Sequence, residues 1–131
     1  NGRKVVEFAL SKVGYPYSQE LRHSGTHFDC SSLAYYAWQY AGVDIEYLGA
    51  TTAAYEGQYC YDNNWLVHYD EMQPGDLIFF SYEQNGAFMN ISHVAIYVGD
   101  GMLVEAANSR IGVVYRQVHS QESIVMIGRP R

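Results

Sequence analysis

The chain has 131 residues, 48% of them hydrophobic, and eight basic side chains against fourteen acidic ones give a formal net charge of −6. That length buries a core without staples and predicts one domain over residues 1–131, as a monomer. The scattered basic residues make no stripe to follow a phosphate backbone, which argues against nucleic acid as a partner, and no apolar run is long enough for membrane insertion. Two cysteines, Cys30 and Cys60, do not make a disulfide framework and leave the redox compartment open. Asn1-Gly2-Arg3-Lys4 leads into an amphipathic pattern instead of a signal-peptide core, so an export signal is expected outside this chain. The thirteen tyrosines fill a small core and its rim, or line a groove for polar ligands.

Val5, Val6, Ala9, Leu10 and Val13 recur at helical spacing and predict a first helix over Gly2 to Val13, stopped by Gly14. A loop from Gly14-Tyr15-Pro16-Tyr17 through Gln19 to His27 then ends on Cys30. Asp29 is the expected N-cap of a second helix whose apolar face is Leu33, Ala34, Ala37, Trp38 and Ala41, closing at Gly42. Asp44 to Gln73 is an excursion with poor patterning, containing a short helix at Thr51 to Tyr55 and a turn at Asp62-Asn63-Asn64. After the turn Pro74-Gly75-Asp76 the pattern becomes β-like, at Leu77 to Tyr82, Ser92 to Val98, Met102 to Ala106, Val113 to Val118 and Ile124 to Arg129. Helices first and an antiparallel meander of about five strands afterwards predict an α+β fold.

Cys30 heads the second helix and His93 opens a strand, the arrangement expected of a cysteine hydrolase. A helix N-terminus with an imidazolium nearby favours a thiolate, and the unpaired N–H groups of the first turn also favour an oxyanion. A buried inert thiol is the alternative for a lone cysteine, and the polar neighbours Asp29, Ser31 and Ser32 argue against it.

The base needs an orienting partner, and Glu105 and Asn108 are the candidates. A two-residue turn at Asp100-Gly101 places Asn108 opposite His93 and leaves Glu105 among Val94, Ile96 and Val98. A three-residue loop, Gly99-Asp100-Gly101, pairs Val98 with Met102 and gathers the valines, isoleucine and Ala106 on one face, with Glu105 diagonal to His93 on the other. Because a one-residue slip would bury a carboxylate among valines, the second register is expected, with Glu105 as orienter and Asn108 in reserve.

Phe28-Asp29-Cys30-Ser31-Ser32-Leu33, Pro74-Gly75-Asp76-Leu77-Ile78-Phe79-Phe80, His93-Val94-Ala95-Ile96-Tyr97-Val98-Gly99 and Val104-Glu105-Ala106 resemble, in order and across nearly the whole chain, the motifs of the NlpC/P60 cysteine peptidases. The resemblance implies a papain-like fold with N-terminal helices on an antiparallel sheet. It implies hydrolysis of bacterial peptidoglycan stem peptides, typically between γ-D-glutamate and a diamino acid such as diaminopimelate or lysine, in the cell wall or outside the cell and beside wall-binding domains. Cys30 would be nucleophile, His93 base and Glu105 the third residue, with no cofactor or metal. Tyr17 would face the oxyanion or substrate, Asp29 and Ser31 a polar or amino end of the peptide, and Ser32 and Ser92 the substrate side. Two positions depart from the family pattern. The third residue is most often histidine, and Glu105 there is expected to raise the His93 pKa; Ser32 stands where glycine is common, which is expected to alter the substrate-side wall.

Two other activities compete, a CHAP-type amidase cutting at the sugar–peptide junction and a peptidoglycan-binding module without chemistry. Arg22 is expected to meet a substrate carboxylate or to be an ordinary solvated arginine. His23, His27 and His68 with the two cysteines lack zinc-site spacing and are read as polar loop residues. Cys60 is expected to be a partly buried free thiol, and His119 a surface residue.

Overall fold

The computed structural model describes residues 1–131. Three helices, α1 (Gly2–Ser11), α2 (Cys30–Tyr40) and α3 (Ala53–Asp62), precede a five-stranded antiparallel sheet of β1 (Leu77–Phe80), β2 (His93–Gly99), β3 (Met102–Asn108), β4 (Gly112–Gln117) and β5 (Ile124–Gly128). The strand order is β4-β3-β2-β1-β5. The expected α+β architecture therefore holds, but the meander runs only through β4. The last strand returns across the sheet to pair with β1, where Ile78 faces Ile127.

The alternation of the strands explains the two-sided packing. Leu77 and Phe79, Val94 and Ile96, Val104 and Ala106, and Val113 face the helices and join Val5, Ala9, Leu33, Ala34, Ala37 and Trp38 in the main core. Ile78, Phe80, Ala95, Leu103 and Ile127 form a smaller cluster on the opposite face, covered by Val67, Met72 and Ile124. The first helix is shorter than its apolar pattern: Leu10 and Val13 are exposed, and only Val5 and Ala9 are fully buried, because α1 meets α2 along a narrow stripe. The excursion is more regular than expected, since α3 runs ten residues from a Thr52 cap, beyond the short helix read at Thr51 to Tyr55. Its pattern was obscured by Glu56 and Gly57, which face inward. Gly57 is needed there, because an added Cβ would press on Ile91 and Phe79.

The β2–β3 hairpin combines the two alternatives. Asp100 and Gly101 form a two-residue turn, both with positive φ as a type I′ turn requires, and Gly99 pairs with Met102. A bulge between Tyr97 and Gly99 then shifts the register, so that Ile96 faces Val104 and Tyr97 faces Leu103, the pairing of the three-residue loop. The bulge satisfies both the turn chemistry and the need to keep Glu105 off the valine face.

Asp76, 1% exposed, accepts two hydrogen bonds from Arg129 at 2.7 and 2.9 Å and one from the Gln73 amide, locking the Pro74-Gly75-Asp76 turn to the chain after β5. Glu56 has no such partner. It is fully buried on α3 with neither oxygen hydrogen-bonded, and burial first, then the charge of Cys30, raises its pKa well above the ordinary carboxylate value. Folding thus favours its protonated form. A raised folded-state pKa contributes fully below the unfolded value and is lost as pH rises past it, at about 1.4 kcal/mol per pH unit. Glu56→Gln is expected to stabilise the protein at neutral and alkaline pH, with the gain shrinking as pH falls into the ordinary carboxylate range. Urea denaturation of both proteins at pH 5 and pH 8 checks this, and a gain that does not change with pH would refute it.

Candidate active site

Asp29 caps α2 reciprocally. Its Oδ1 accepts from the Ser32 amide at 2.8 Å, and Ser32 Oγ accepts from the Asp29 amide at 3.0 Å. Cys30 is therefore the first residue of α2, where backbone N–H groups have no intrahelical acceptor, and it remains partly exposed. Ser32 is fully buried in this cap, so it locks the start of the helix and does not reach a substrate wall.

Arg22 corrects a second expectation. Its Nε donates to Asp29 Oδ2 at 2.7 Å, Nη1 to His23 Nε2 and Thr51 Oγ1, and Nη2 to Ser31 Oγ and the Thr51 carbonyl, each at 2.9 Å. With all five N–H groups engaged, no donor is left for a substrate carboxylate. Asp29 and Ser31, 7% and 4% exposed, are likewise hydrogen-bonded within the chain, and both also line the cleft onto which Cys30 opens. Because guanidinium only donates, His23 Nε2 is an acceptor, and Nδ1 carries the proton shared with Tyr36 Oη at 2.6 Å. His27 contacts Thr26, and His68 precedes a 3-10 turn at Tyr69–Glu71 on the surface.

The loop after α1 delivers Tyr17. Gly14 and Tyr15 pair with Val113, and a Cβ on Gly112 would collide with the Tyr15 carbonyl oxygen. Tyr17 then bridges Phe28 in parallel, two residues before Cys30. Burial, followed by the charges of Cys30 and Asp29, raises the Tyr17 pKa, so its hydroxyl stays a donor.

His93, the first residue of β2, connects two sides of the site. Its Nε2 lies 2.6 Å from Glu105 Oε1, which leaves Nδ1 for the Cys30 thiol. Burial opposes the imidazolium, but hydrogen bonds to Cys30 and Glu105 outweigh it and raise the His93 pKa to about 9. Glu105 is 1% exposed; burial opposes its charge too, but His93, His119 and Arg116 lower its pKa to about 2. Asn108, the reserve, instead accepts from the amides of Arg110 and Ile111 and closes the β3–β4 turn.

Two members of this cluster were not expected. Arg116 Nε and Nη2 both stand 2.7 Å from Glu105 Oε2, and His119 Nε2 is 2.6 Å from the same oxygen. His119 is thus not a free surface residue; it stacks on Phe80 with ring centroids 5.7 Å apart. The missing signal was the β3–β4 register. Glu105 faces Val114, so Arg116 lies diagonal to it on the same side of the sheet.

Cys30 opens into a cleft of about 370 Å³ between Gln19, Ala53 and Ala54 on one side and Asn85, Ile91 and Ser92 on the other. Ser92 lines it as expected, its hydroxyl accepting from the Tyr82 amide. Tyr82 stands half exposed beside the His93 ring, 6.1 Å between centroids. A larger cleft of about 920 Å³ lies at the chain ends between Arg3, Trp38, Pro74 and Arg129; it has no cysteine, serine or histidine, and its one side-chain carboxylate, Asp76, is taken up by Arg129, so the smaller one is the candidate site. Cys60 is fully buried against Gly128, deeper than expected; burial raises its pKa to about 12, and both cysteines are free thiols.

A family model described as NlpC/P60 matches residues 14–127. A probable endopeptidase of Mycobacterium tuberculosis is 34% identical over 119 residues, which is 91% of this chain and 26% of that protein. The peptidoglycan DL-endopeptidase CwlO of Bacillus licheniformis is 39% identical over 84 residues, 63% of this chain and 16% of that one. The chain thus spans about a quarter or less of the length of these relatives. Among solved structures, RipD of Mycobacterium tuberculosis, described as a non-catalytic NlpC/p60 domain protein adapted to peptidoglycan binding, has a TM-score of 0.74 at 23% identity and covers 98% of this chain and 95% of that one. Its fold is the fold found here, and with the family model covering most of its length, this chain belongs to the NlpC/P60 family.

Proposed function

We propose that the chain is a cysteine endopeptidase acting on the stem peptides of bacterial peptidoglycan, at the bond between γ-D-glutamate and a diamino acid. The observation that carries this is the continuous array of Cys30 at the start of α2, His93 beside it, and Glu105 on the far ring nitrogen. The relatives named as endopeptidases, one of them for peptidoglycan DL-bonds, support the reaction class and the bond. A substrate of that kind places the working protein at the cell envelope or outside the cell.

In this reading His93 takes the Cys30 proton and the thiolate adds to the glutamyl γ-carbonyl carbon. The oxyanion is met by the unpaired N–H groups of the first turn of α2 and by the Tyr17 hydroxyl. His93 then returns the proton to the diamino-acid nitrogen as the C–N bond breaks, leaving a thioester on Cys30. Water, deprotonated by His93, displaces the thiolate and releases the glutamyl carboxylate. Every proton moves through Nδ1, while Nε2 stays on Glu105.

The intact Cys30, His93 and Glu105 favour catalysis over a binding role such as that described for RipD. Cys30→Ala is expected to abolish cleavage of purified peptidoglycan and muropeptides, with wild-type products cut between the second and third stem residues by mass spectrometry. Intact stem peptides would instead identify an amidase, and no products from wild type with an alkylatable Cys30 would remove the enzymatic reading.

The His93 shift sets the alkaline side of the pH profile. Because His93 must be an imidazolium to protonate the leaving amine, kcat/KM for a muropeptide is expected to fall as pH rises through about 9. Glu105→Gln removes the charge that supports the imidazolium, so its profile should fall at lower pH. A profile unchanged by that substitution would contradict the assignment of Glu105.

A further inference from the structure

Glu105 uses both oxygens. Oε1 accepts from His93, and Oε2 accepts from Arg116 and from His119. An ionised carboxylate only accepts, so all three neighbours donate to it. Tyr82 from the segment after β1 and Cys30 from α2 complete the titratable groups around the cluster.

A bare carboxylate beside the base carries a cost for the chemistry proposed above. It holds the proton on His93, and a base that cannot return its proton cannot release the leaving amine. The side of Glu105 away from His93 bears the counterweight. Arg116 is permanently cationic and projects from β4, the edge strand, with its side chain 43% exposed while its fork is fixed on Oε2. His119 adds a donor to the same oxygen and is held in place by its stack on Phe80.

We propose that Arg116 is the positioning residue that makes a carboxylate workable beside His93, by neutralising Glu105 so that the base meets a fixed acceptor with little net charge, while His119 holds the carboxylate's orientation. This rests on Cys30 and His93 being nucleophile and base. Arg116 touches neither substrate nor thiol and acts only through Glu105. The Glu105–Arg116 pair then stands where a neutral side chain would otherwise serve, and the proton stays mobile between His93 and its reaction partners.

The test follows alkylation of Cys30 by iodoacetamide against pH, with the site of reaction assigned by peptide mass mapping. Cys60 is buried and does not compete. Loss of the His93 proton appears as an alkaline inflection in the rate. Arg116→Gln is expected to move that inflection upward by about half a pH unit or more, because the imidazolium loses a nearby positive charge. Arg116→Lys, which keeps the charge, should leave it within a few tenths of a unit. In a Glu105→Gln background, Arg116→Gln should produce a much smaller upward shift, because without the carboxylate that fixes its fork the exposed guanidinium no longer stands near the imidazolium. Circular dichroism confirms that each variant is folded; if Arg116→Gln is not, Arg116→Lys and the Glu105→Gln pair decide. An unchanged or lowered inflection in Arg116→Gln, a lysine variant that behaves like the glutamine one, or an equal upward shift in the Glu105→Gln background would overturn the proposal. Alkylation needs no wall substrate, so the two readings fail separately. Absence of peptidoglycan cleavage with the expected alkylation shifts removes the endopeptidase reading alone, and cleavage without those shifts removes the role of Arg116 alone.

Discussion

The Arg22–Asp29 ion pair, 2.7 Å long, is the constraint from which the site is built. Asp29 must cap α2 for Cys30 to stand in its first turn, and Arg22 fixes the capping carboxylate while also holding Thr51, next to the cap of α3, and His23 on the loop before α2. One guanidinium thus ties the loop and the starts of two helices together. Each individual bond is modest, but the geometry they share leaves few rotamers for anything near the nucleophile. The same saturation explains why Arg22, which looked like a substrate contact, is scaffold, while Asp29 and Ser31 keep a place in the wall of the cleft beside Cys30.

The division of labour across the sheet follows from its alternation. The face toward α1 and α2 is packed with valine, isoleucine and phenylalanine, and the ionisable cluster of His93, Glu105 and Arg116 occupies the other face near the end where α2 begins. A single bulge before Gly99 makes this separation possible. Without it, the two-residue turn would propagate a register that places Glu105 against valines, where no donor waits for it. The hairpin therefore stores positional information for a group six residues away.

Much of this was legible in the sequence because the relevant signals were local or periodic. Asp29 before an apolar helical run, Gly42 at its end, and the alternation of the strands all act within a few residues. Cys30 was marked by its place at a helix start, and the pairing of His93 with Glu105 followed from one hairpin's register and the cost of burying a carboxylate. What stayed hidden depended on contacts between distant segments: Arg116 and His119 reach Glu105 only once β4 is registered against β3 and the chain turns after it. The return of β5 to β1 was invisible for a similar reason, since a strand's pattern records which face is buried and not which neighbour it takes. Glu56 interrupts the apolar pattern of α3 in the sequence, and the fold nevertheless buries it.

Glu56 and Glu105 show what sets the state of a buried carboxyl. Both are essentially inaccessible, so desolvation penalises the charge of each. Glu105 has donors on both oxygens, stays ionised, and favours folding above the ordinary carboxylate range, a contribution lost as pH falls toward about 2. Glu56 has none, stays neutral, and its contribution is lost in the opposite direction, as pH rises. The two dependences overlap favourably only in the mildly acidic range, while the imidazolium of His93 persists up to about 9. The two buried carboxyls therefore give the fold opposite pH sensitivities, and only Glu105 adjoins His93. That separation follows from a count of hydrogen-bond donors around each group, since depth of burial alone would have treated the two alike.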